Sequence, residues 1–512
     1  MGSCNKRGDS SSRSPFHGMN LSTPILLYPR IDFHENGLAE GDCACPRSIP
    51  GKSDESAFTD LWEKTKFQKA EAEVFRFNPD FLTLFSAYTH PSMVLLNRSA
   101  YALWQAFENA DTPQHVIEMM NFGPAERKRS LRILQMLLWF GYLVNPDNIQ
   151  PGVIEDSTLT AWLHVTNACN LRCSYCYIHK TNLAMDAKTG EEAVKAIFRS
   201  ARLHGFKTIK LKYAGGEPLL NFPLILQLDD LAGKLAEQLE IRLDRVILTN
   251  ATPLNSSIIE ELLHRNIRLM ISLDGIDETH DRQRPFTNGR GSLSTVLQKI
   301  ELAKASGLKP QICITLSARN ANGLPDLVAW ILDQGLPFSI NFYRETPLAT
   351  DGADLNLEES TIVRAMLAAF SVIESNLPEY SLLTSLLDRT NLAFPHQRAC
   401  SAGKNYMVID SLGRISKCQM EIDRPVSSIK SADPLAIIRS SPIGVQNPAV
   451  DEIHECRSCE WKYWCAGGCP ITSYQAGGSY LRKSPYCNIY KVLFPEVLRL
   501  ETRRLLSREC YV

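Results

Sequence analysis

The sequence predicts an α/β protein whose main sheet is parallel, and three observations carry that prediction. Between Leu159 and Tyr343, six short runs rich in β-branched and aliphatic residues alternate with five longer amphipathic stretches, the pattern of strand–helix units with parallel strands. A segment of small strands and three helices comes before them, and behind them cysteines recur at short intervals. Six units suit an open, partial (β/α)6 barrel of TIM-like kind, with functional groups gathered at the carboxyl ends of the strands.

Residues 1–60 are rich in Ser, Gly, Pro and charge with few periodic apolar positions, so a flexible lead is expected there. Cys43 and Cys45 lie in it without nearby partners. From Glu73 the texture changes. Phe75 and Phe77 alternate with polar residues, Leu82–Tyr88 and Met93–Leu96 read as extended, and Thr89-His90-Pro91 reads as a turn. Asn97 is placed to cap a helix through Phe107, Thr112-Pro113 to open a second, and Glu126–Phe140 to form a third that Gly141 ends before a closing strand, Tyr142–Asn145. A small sheet with three helices is a winged-helix arrangement, assigned to 73–150. The third helix carries Arg127, Lys128, Arg129 and Arg132 near its start and then turns apolar, which argues against a DNA-reading face.

The barrel is assigned to 151–345, with strands at Leu159–Thr166, Thr208–Tyr213, Arg245–Asn250, Arg268–Leu273, Gln311–Leu316 and Phe338–Tyr343. Helices fill Gly190–Leu203, Pro223–Leu239, Ser256–His264, Ser292–Ala305 and Gly323–Asp333. Residues 346–399 read as a connector with a helix near Thr361–Glu374, and 400–512 as a cysteine-rich domain.

Fifty-five basic residues balance 56 acidic ones, so no global field draws in nucleic acid or an anionic membrane. The longest apolar stretch, Ile133–Val144, is too short to cross a bilayer. No secretory signal pattern is seen, and ten of the fifteen cysteines fall into two tight groups. That clustering favours metal in a reducing, cytoplasmic setting over disulfides.

The first group is Cys169, Cys173 and Cys176, directly after the first barrel strand. Three thiolates at C-x3-C-x2-C spacing can hold three irons of a 4Fe-4S cluster and leave the fourth free. A zinc site is the competing reading, with His164 and His179 flanking, although zinc loops usually present matched cysteine pairs. Together with Tyr175, these cysteines resemble the signature of the radical S-adenosylmethionine (SAM) superfamily. The resemblance implies that the open iron chelates the methionine part of SAM, and that one electron splits the sulfonium to give a 5'-deoxyadenosyl radical. Iron–sulfur potentials span roughly −700 to +450 mV; the low end is required, which implies an electron donor such as flavodoxin or ferredoxin.

Tyr213-Ala-Gly215-Gly216-Glu217-Pro218 follows the second strand. Consecutive glycines let the backbone approach a ligand closely, Pro218 fixes the exit and Glu217 supplies a charge for an ammonium group, although a plain turn is the ordinary reading. By the resemblance, Gly215, Gly216 and Glu217 contact the methionine amino group, and Asn250 and Ser272, at the ends of the third and fourth strands, contact SAM. Otherwise these two are turn and cap residues. Asp274, His280, Asp281 and Arg284 run on to Gly289-Arg-Gly291-Ser292 as a charged loop. It resembles the peptide-modifying branch, and a solvated salt-bridged loop is an equal account of His280 and Asp281. Cys313, alone in the fifth strand, reads as a small buried apolar residue.

The second group is Cys400, Gly413, Cys418, Cys456, Cys459, Cys465, Cys469 and Cys487, a C-x12-G-x4-C, C-x2-C-x5-C-x3-C, C pattern. It resembles the SPASM extension, which carries two auxiliary 4Fe-4S clusters, making three with the first. The family's wiring implies Cys400, Cys418 and Cys469 on one, one iron short of a cysteine, and Cys456, Cys459, Cys465 and Cys487 on the other. Zinc competes, since C-x2-C-x5-C reads as half a ribbon. Trp461, Tyr463 and Trp464 are expected to pack around and shield the clusters. Cys510 is unassigned.

The segment 73–145 resembles the recognition domain of ribosomal peptide maturases, which binds an unstructured leader peptide as an added strand. The leading expectation is therefore an enzyme that crosslinks a precursor peptide through C–C (cyclophane) or C–S (thioether) bonds. The alternatives are an anaerobic sulfatase-maturing enzyme, against which stands Gln419 where that group has an Asp base, and a non-catalytic zinc-bearing peptide- or nucleic-acid-binding protein. No catalytic base is assigned.

Overall fold

The computed structural model describes residues 23–29, 64–120, 122–146, 157–350, 352–356, 358–384, 386–388 and 390–507. They form two compact units: one takes the described residues up to 146 and those from 501 onward, the other those from 157 to 500. Cys43, Cys45 and Cys510 lie outside the described residues.

In the first unit, β1 (Leu26–Leu27), β3 (Glu73–Phe75), β4 (Phe81–Phe85) and β5 (Met93–Asn97) make an antiparallel sheet in the order β1-β5-β4-β3. A separate pair joins β2 (Gln68–Lys69) to β6 (Leu143–Val144). The expected lead thus contributes a strand: Leu26 and Leu27 are buried against β5. Asn97 explains the attachment. Its Oδ1 accepts from Ala100 N, capping the helix Arg98–Gln105, and from Ile25 N, while its Nδ2 donates to Thr23 O. The second helix, Pro113–Met119, starts at the Thr112 cap, and the third, Pro124–Trp139, has Glu126 accepting from Gly123 N. Gly141, at φ +80°, ends the turn after it. Apolar faces of sheet and helices meet in one core around Leu84, Leu96, Trp104, Leu134 and Tyr142. Trp104 Nε1 donates to Tyr142 O at 2.9 Å, so even the indole N–H is satisfied there.

The second unit holds the barrel strands β7 (Thr158–Thr166), β8 (Thr208–Gly215), β9 (Arg242–Thr249), β10 (Arg268–Ser272), β11 (Gln311–Leu316) and β12 (Phe338–Phe342). Each lies parallel to the next, with helices Ala187–Leu203, Phe222–Gln238, Ser256–His264, Leu293–Ala305 and Leu324–Asp333 between them. These are the six expected strands and five helices, displaced by at most three residues at their ends. The connector's helix is Glu359–Ser375.

The sheet does not stop at β7. β13 (Tyr406–Ile409) pairs parallel with it, placing Tyr406 opposite Thr160 and Val408 opposite Trp162, and β14 (Arg414–Ser416) and β15 (Ser427–Ser428) continue antiparallel. The cysteine-rich region is therefore built onto the barrel's own sheet, giving nine strands in the order β12-β11-β10-β9-β8-β7-β13-β14-β15. Among the described residues, no helix is long and apolar enough to cross a membrane.

Candidate functional site

The three-cysteine loop leaves the carboxyl end of β7 and is held there by backbone. Gly216 N donates to Thr166 O at 2.7 Å and Glu217 N to Ala168 O at 2.8 Å. This explains the glycine pair. A Cβ on Gly216 would sit 2.6 Å from Asn167 O and closer still to Ala168 O; one on Gly215, at φ +151°, would meet Thr166 O. The sequence suggested close approach to a ligand; the contact found is instead to the backbone of the cysteine loop.

Glu217 is fully buried, and its carboxylate is engaged inside the protein. It accepts from Thr249 Oγ1 at 2.6 Å, Asn250 N at 2.7 Å and Leu219 N at 3.1 Å. Burial raises its pKa to about 7, and those hydrogen bonds oppose the rise. Asn250 carries the tie onward, donating through Nδ2 to Asn170 Oδ1 at 3.0 Å, beside Cys169 Sγ at 3.9 Å. Asn170 in turn donates to Thr252 Oγ1. The end of β9 and the cysteine loop are thereby locked together. Ser272 ends β10 in register with Cys313, half-buried.

Beyond it, Asp274 is the hub of a buried network that the sequence reading split between turn residue and solvated loop. Its Oδ2 accepts from Tyr175 OH at 2.6 Å and Gln283 Nε2 at 3.0 Å, with Arg284 Nη1 at 3.4 Å; its Oδ1 accepts from Thr315 N at 2.8 Å. Arg284 Nη1 also donates to Tyr175 OH. His280 is wholly buried, accepting from Asp274 N at Nδ1 and facing Ser292 Oγ with Nε2. Burial holds its pKa down to about 4, so it is neutral. The solvated reading is corrected for His280, which is buried, while Asp281 is half-buried; Asp274 and Arg284 form the packing that orients Tyr175. Their spacing along one loop was visible, but burial was not.

Next to Tyr175 a cavity of about 210 Å³ opens at the strand ends, lined among others by Trp162, Tyr177, Met270, Thr315, Arg344 and Met420. Cys313 also lines it, with Ser339 donating to its sulfur at 3.8 Å, so it is not the inert core residue expected. A second, small cavity, of about 20 Å³, is walled by Cys400, Cys418 and Cys469, and shares Arg344 and Met420 with the first. Arg344 went unnoticed in the sequence. Its guanidinium is clamped by Asp388 through two 2.8 Å contacts and lies beside Cys469. Gln419 Oε1 accepts from Tyr406 OH at 2.9 Å.

Cys456, Cys459, Cys465 and Cys487 are near enough that each neighbouring thiolate disfavours another's ionisation; burial and that repulsion push Cys456 up to about 11 and Cys465 up to about 12. Amides point at the sulfurs: Leu171 N to Cys169 at 3.4 Å and Asn447 Nδ2 to Cys400 at 3.7 Å, the contacts that tune iron–sulfur clusters. All these cysteines are unpaired by disulfide. Among the described residues, no three His, Cys, Asp or Glu side chains gather as the ligands of a single ion do. Cysteine thiolates are the usual ligands of iron–sulfur clusters, so the chemistry of the donors suits such a group. Trp461 and Trp464 are buried in this region, Trp461 against Phe494 at 5.2 Å, while Tyr463 is half-buried and bonded to Asp451. His164 is buried inside the barrel and His179 exposed.

A parallel barrel whose first strand ends in a three-cysteine loop, sewn to the ends of the second and third strands, defines an enzyme class that makes radicals from SAM. The family model described as the Radical SAM superfamily matches residues 163–319, and the chain belongs to that superfamily. An uncharacterized protein of Methanocaldococcus jannaschii is 33% identical over 218 residues, 42% of this chain and 73% of that one. A serine-type anaerobic sulfatase-maturating enzyme of Klebsiella aerogenes is 24% identical over 353 residues, 65% of this chain and 83% of the relative. Among solved structures, anSMEcpe with bound AdoMet and Kp18Cys peptide shares the fold, with a TM-score of 0.53 and 19% identity over 67% of this chain and 99% of that one. The protein is therefore an enzyme, and membership implies one 4Fe-4S cluster and SAM. The non-catalytic expectation is set aside.

Proposed function

We propose that this enzyme modifies a ribosomally made precursor peptide, closing an intrapeptide C–C or C–S crosslink after hydrogen abstraction by a 5'-deoxyadenosyl radical. The observation that carries the reading is that the two cavities are neighbours, with Arg344 and Met420 in the walls of both. A substrate held at the strand ends lies between the radical source and the Cys400 thiol set. Such a crosslink removes two hydrogens from the peptide: one leaves as an atom to the radical, the other as a proton and an electron. The second electron needs an acceptor close by, and an auxiliary cluster there supplies one.

In this reading Cys169, Cys173 and Cys176 hold the cluster that binds SAM, and Tyr175, Gly215, Gly216, Glu217, Asn250 and Ser272 shape the SAM pocket. Cys400, Cys418 and Cys469 hold the first auxiliary cluster, and Cys456, Cys459, Cys465 and Cys487 the second. The leader binds the first unit. In support, β3 is an outer strand with Val74 41% exposed, and among the described residues its one strand neighbour is β4, an edge of the kind that accepts an added strand. A low-potential donor such as flavodoxin or ferredoxin supplies the first electron, in the reducing cytoplasm.

Formylglycine formation is the second reading, favoured by the sulfatase-maturating relative. Against it, Gln419 is an amide and has no basic form to take a proton. Mass spectrometry of co-expressed precursor decides. Crosslinking gives a loss of two hydrogens with no reaction toward a hydrazide; a hydrazide-reactive product of the same mass is an aldehyde from serine and overturns the crosslink, as does an unchanged mass. Cys173→Ala abolishes 5'-deoxyadenosine formation; its persistence removes the loop's assigned role.

A further inference from the structure

Beside the Cys400 set the second unit carries a cleft of about 1090 Å³ measured to its open mouth, and its charge is one-sided. Arg398, Lys404, Lys417 and Arg439 line it, with Glu452 as the one acidic lining residue. Two further carboxylates stand at its margin, Glu421 near Lys417 and Asp433 near Arg439. All three acids are engaged elsewhere. Glu452 caps Ala449 N at 2.8 Å, Glu421 takes Arg424 and Val445 N, and Asp433 takes His204 and Ala436 N.

The four cations bond to neutral acceptors or to none. Arg398 donates to Asn447 O, Lys417 to Ser441 O, and Arg439 to Lys404 O. Lys404 is exposed, and its pKa is lowered by burial of its stem and by the charges of Arg398 and Arg439. The four cations outnumber the three nearby carboxylates, Glu452, Glu421 and Asp433, each of which also serves another donor, and an anionic partner supplies the remaining counter-charge. Across the cleft Tyr474 and Tyr480 stack at 4.5 Å, with Leu481 56% exposed beside them, an apolar anchor inside a basic rim.

The cleft's position gives the partner its role. Asn447, in the cleft wall, donates to Ala402 O and reaches the Cys400 sulfur at 3.7 Å. Ala402 and Val445 line both this cleft and the Cys400 cavity, so one layer of residues separates the basic surface from the thiols.

We infer that this cleft docks an acidic one-electron carrier protein, which exchanges its electron with the cluster held by Cys400, Cys418 and Cys469. The exchange moves one electron and no atom: the carrier loses it as the cluster gains it, or the reverse. The inference rests on the auxiliary-cluster reading above.

The test mixes anaerobic, cluster-loaded enzyme with a reduced flavodoxin of net negative charge and follows auxiliary-cluster reduction by stopped-flow absorbance and electron paramagnetic resonance, with dithionite as the small-molecule control. The rate with flavodoxin is expected to fall at least tenfold in Lys404→Glu/Arg439→Glu, and several-fold in the milder Lys404→Gln. It also falls in wild type as salt rises, while the dithionite rate holds. Equal losses with both reductants, or no loss with flavodoxin, overturn the docking site. So does unchanged carrier kinetics with loss of precursor binding, which assigns the cleft to the peptide. Enzyme without iron at these cysteines instead fails the cluster reading, a result seen before any carrier is added.

Discussion

Gly216→Ala puts the coupling between β8 and the cysteine loop to a direct test. The added methyl would lie 2.6 Å from Asn167 O and 2.7 Å from the carbonyl carbon of Ala168, where ordinary contact begins near 3.4 Å. Both partners are backbone, so no rotamer change relieves the clash, and the loop must back away by roughly 1 Å. Overpacking of this kind costs about 1–3 kcal/mol, which a barrel of six fully formed strands survives. The effect on the site is larger, because a displacement of about 1 Å at a reacting centre costs on the order of 100-fold in rate. Asn170 and Cys169 move with the loop, breaking the 3.0 Å bond from Asn250. The assay pairs iron and acid-labile sulfide per chain with the rate of 5'-deoxyadenosine release, and far-ultraviolet circular dichroism checks the fold. The expected outcome is native dichroism with release reduced on the order of 100-fold, the loss that a misplacement of this size brings. A variant with full iron content and unchanged release would refute the claim that this backbone contact sets the loop.

Other consequences follow from buried charge. Asp388→Ala strands the Arg344 guanidinium without its clamp and is expected to cost about 3–5 kcal/mol in denaturant unfolding, while Arg344→Met/Asp388→Leu recovers most of it; equal losses in both would show that the pair is not the cause. His164, His280 and His396 are buried neutral, each with its pKa held near 4 by burial against an ordinary 6.5. Below pH 6.5 the unfolded chain takes protons that the folded chain refuses. Their contribution is therefore whole above pH 6.5 and lost as pH falls to 4, by up to about 3 kcal/mol each. Unfolding midpoints at pH 7 and pH 5 measure this, and His396→Leu is expected to flatten the slope. On β3, Val74→Pro removes an edge N–H and is expected to weaken precursor binding at least tenfold in a fluorescence titration, leaving SAM cleavage without peptide unchanged; unaltered affinity would move the leader elsewhere.

Much of this molecule is local in origin. The barrel's strands and helices follow from periodicity, Asn97 and Thr112 cap the helices they were read to cap, and the first three cysteines lie within one short loop. Each depends on neighbours along the chain, so sequence alone carries it. The tertiary structure decided what depends on distant pairing. β13 joined β7 from far along the chain, which set the Cys400 cavity against the strand ends. Asp388 met Arg344, Asp274 gathered Tyr175, Gln283 and Arg284 out of solvent, and the glycine pair turned its bare face to the cysteine loop. Burial and charge compensation are properties of assembled surfaces. The residues that orient the site were therefore present in the sequence as ordinary polar side chains, and became distinctive only when folding removed the water around them.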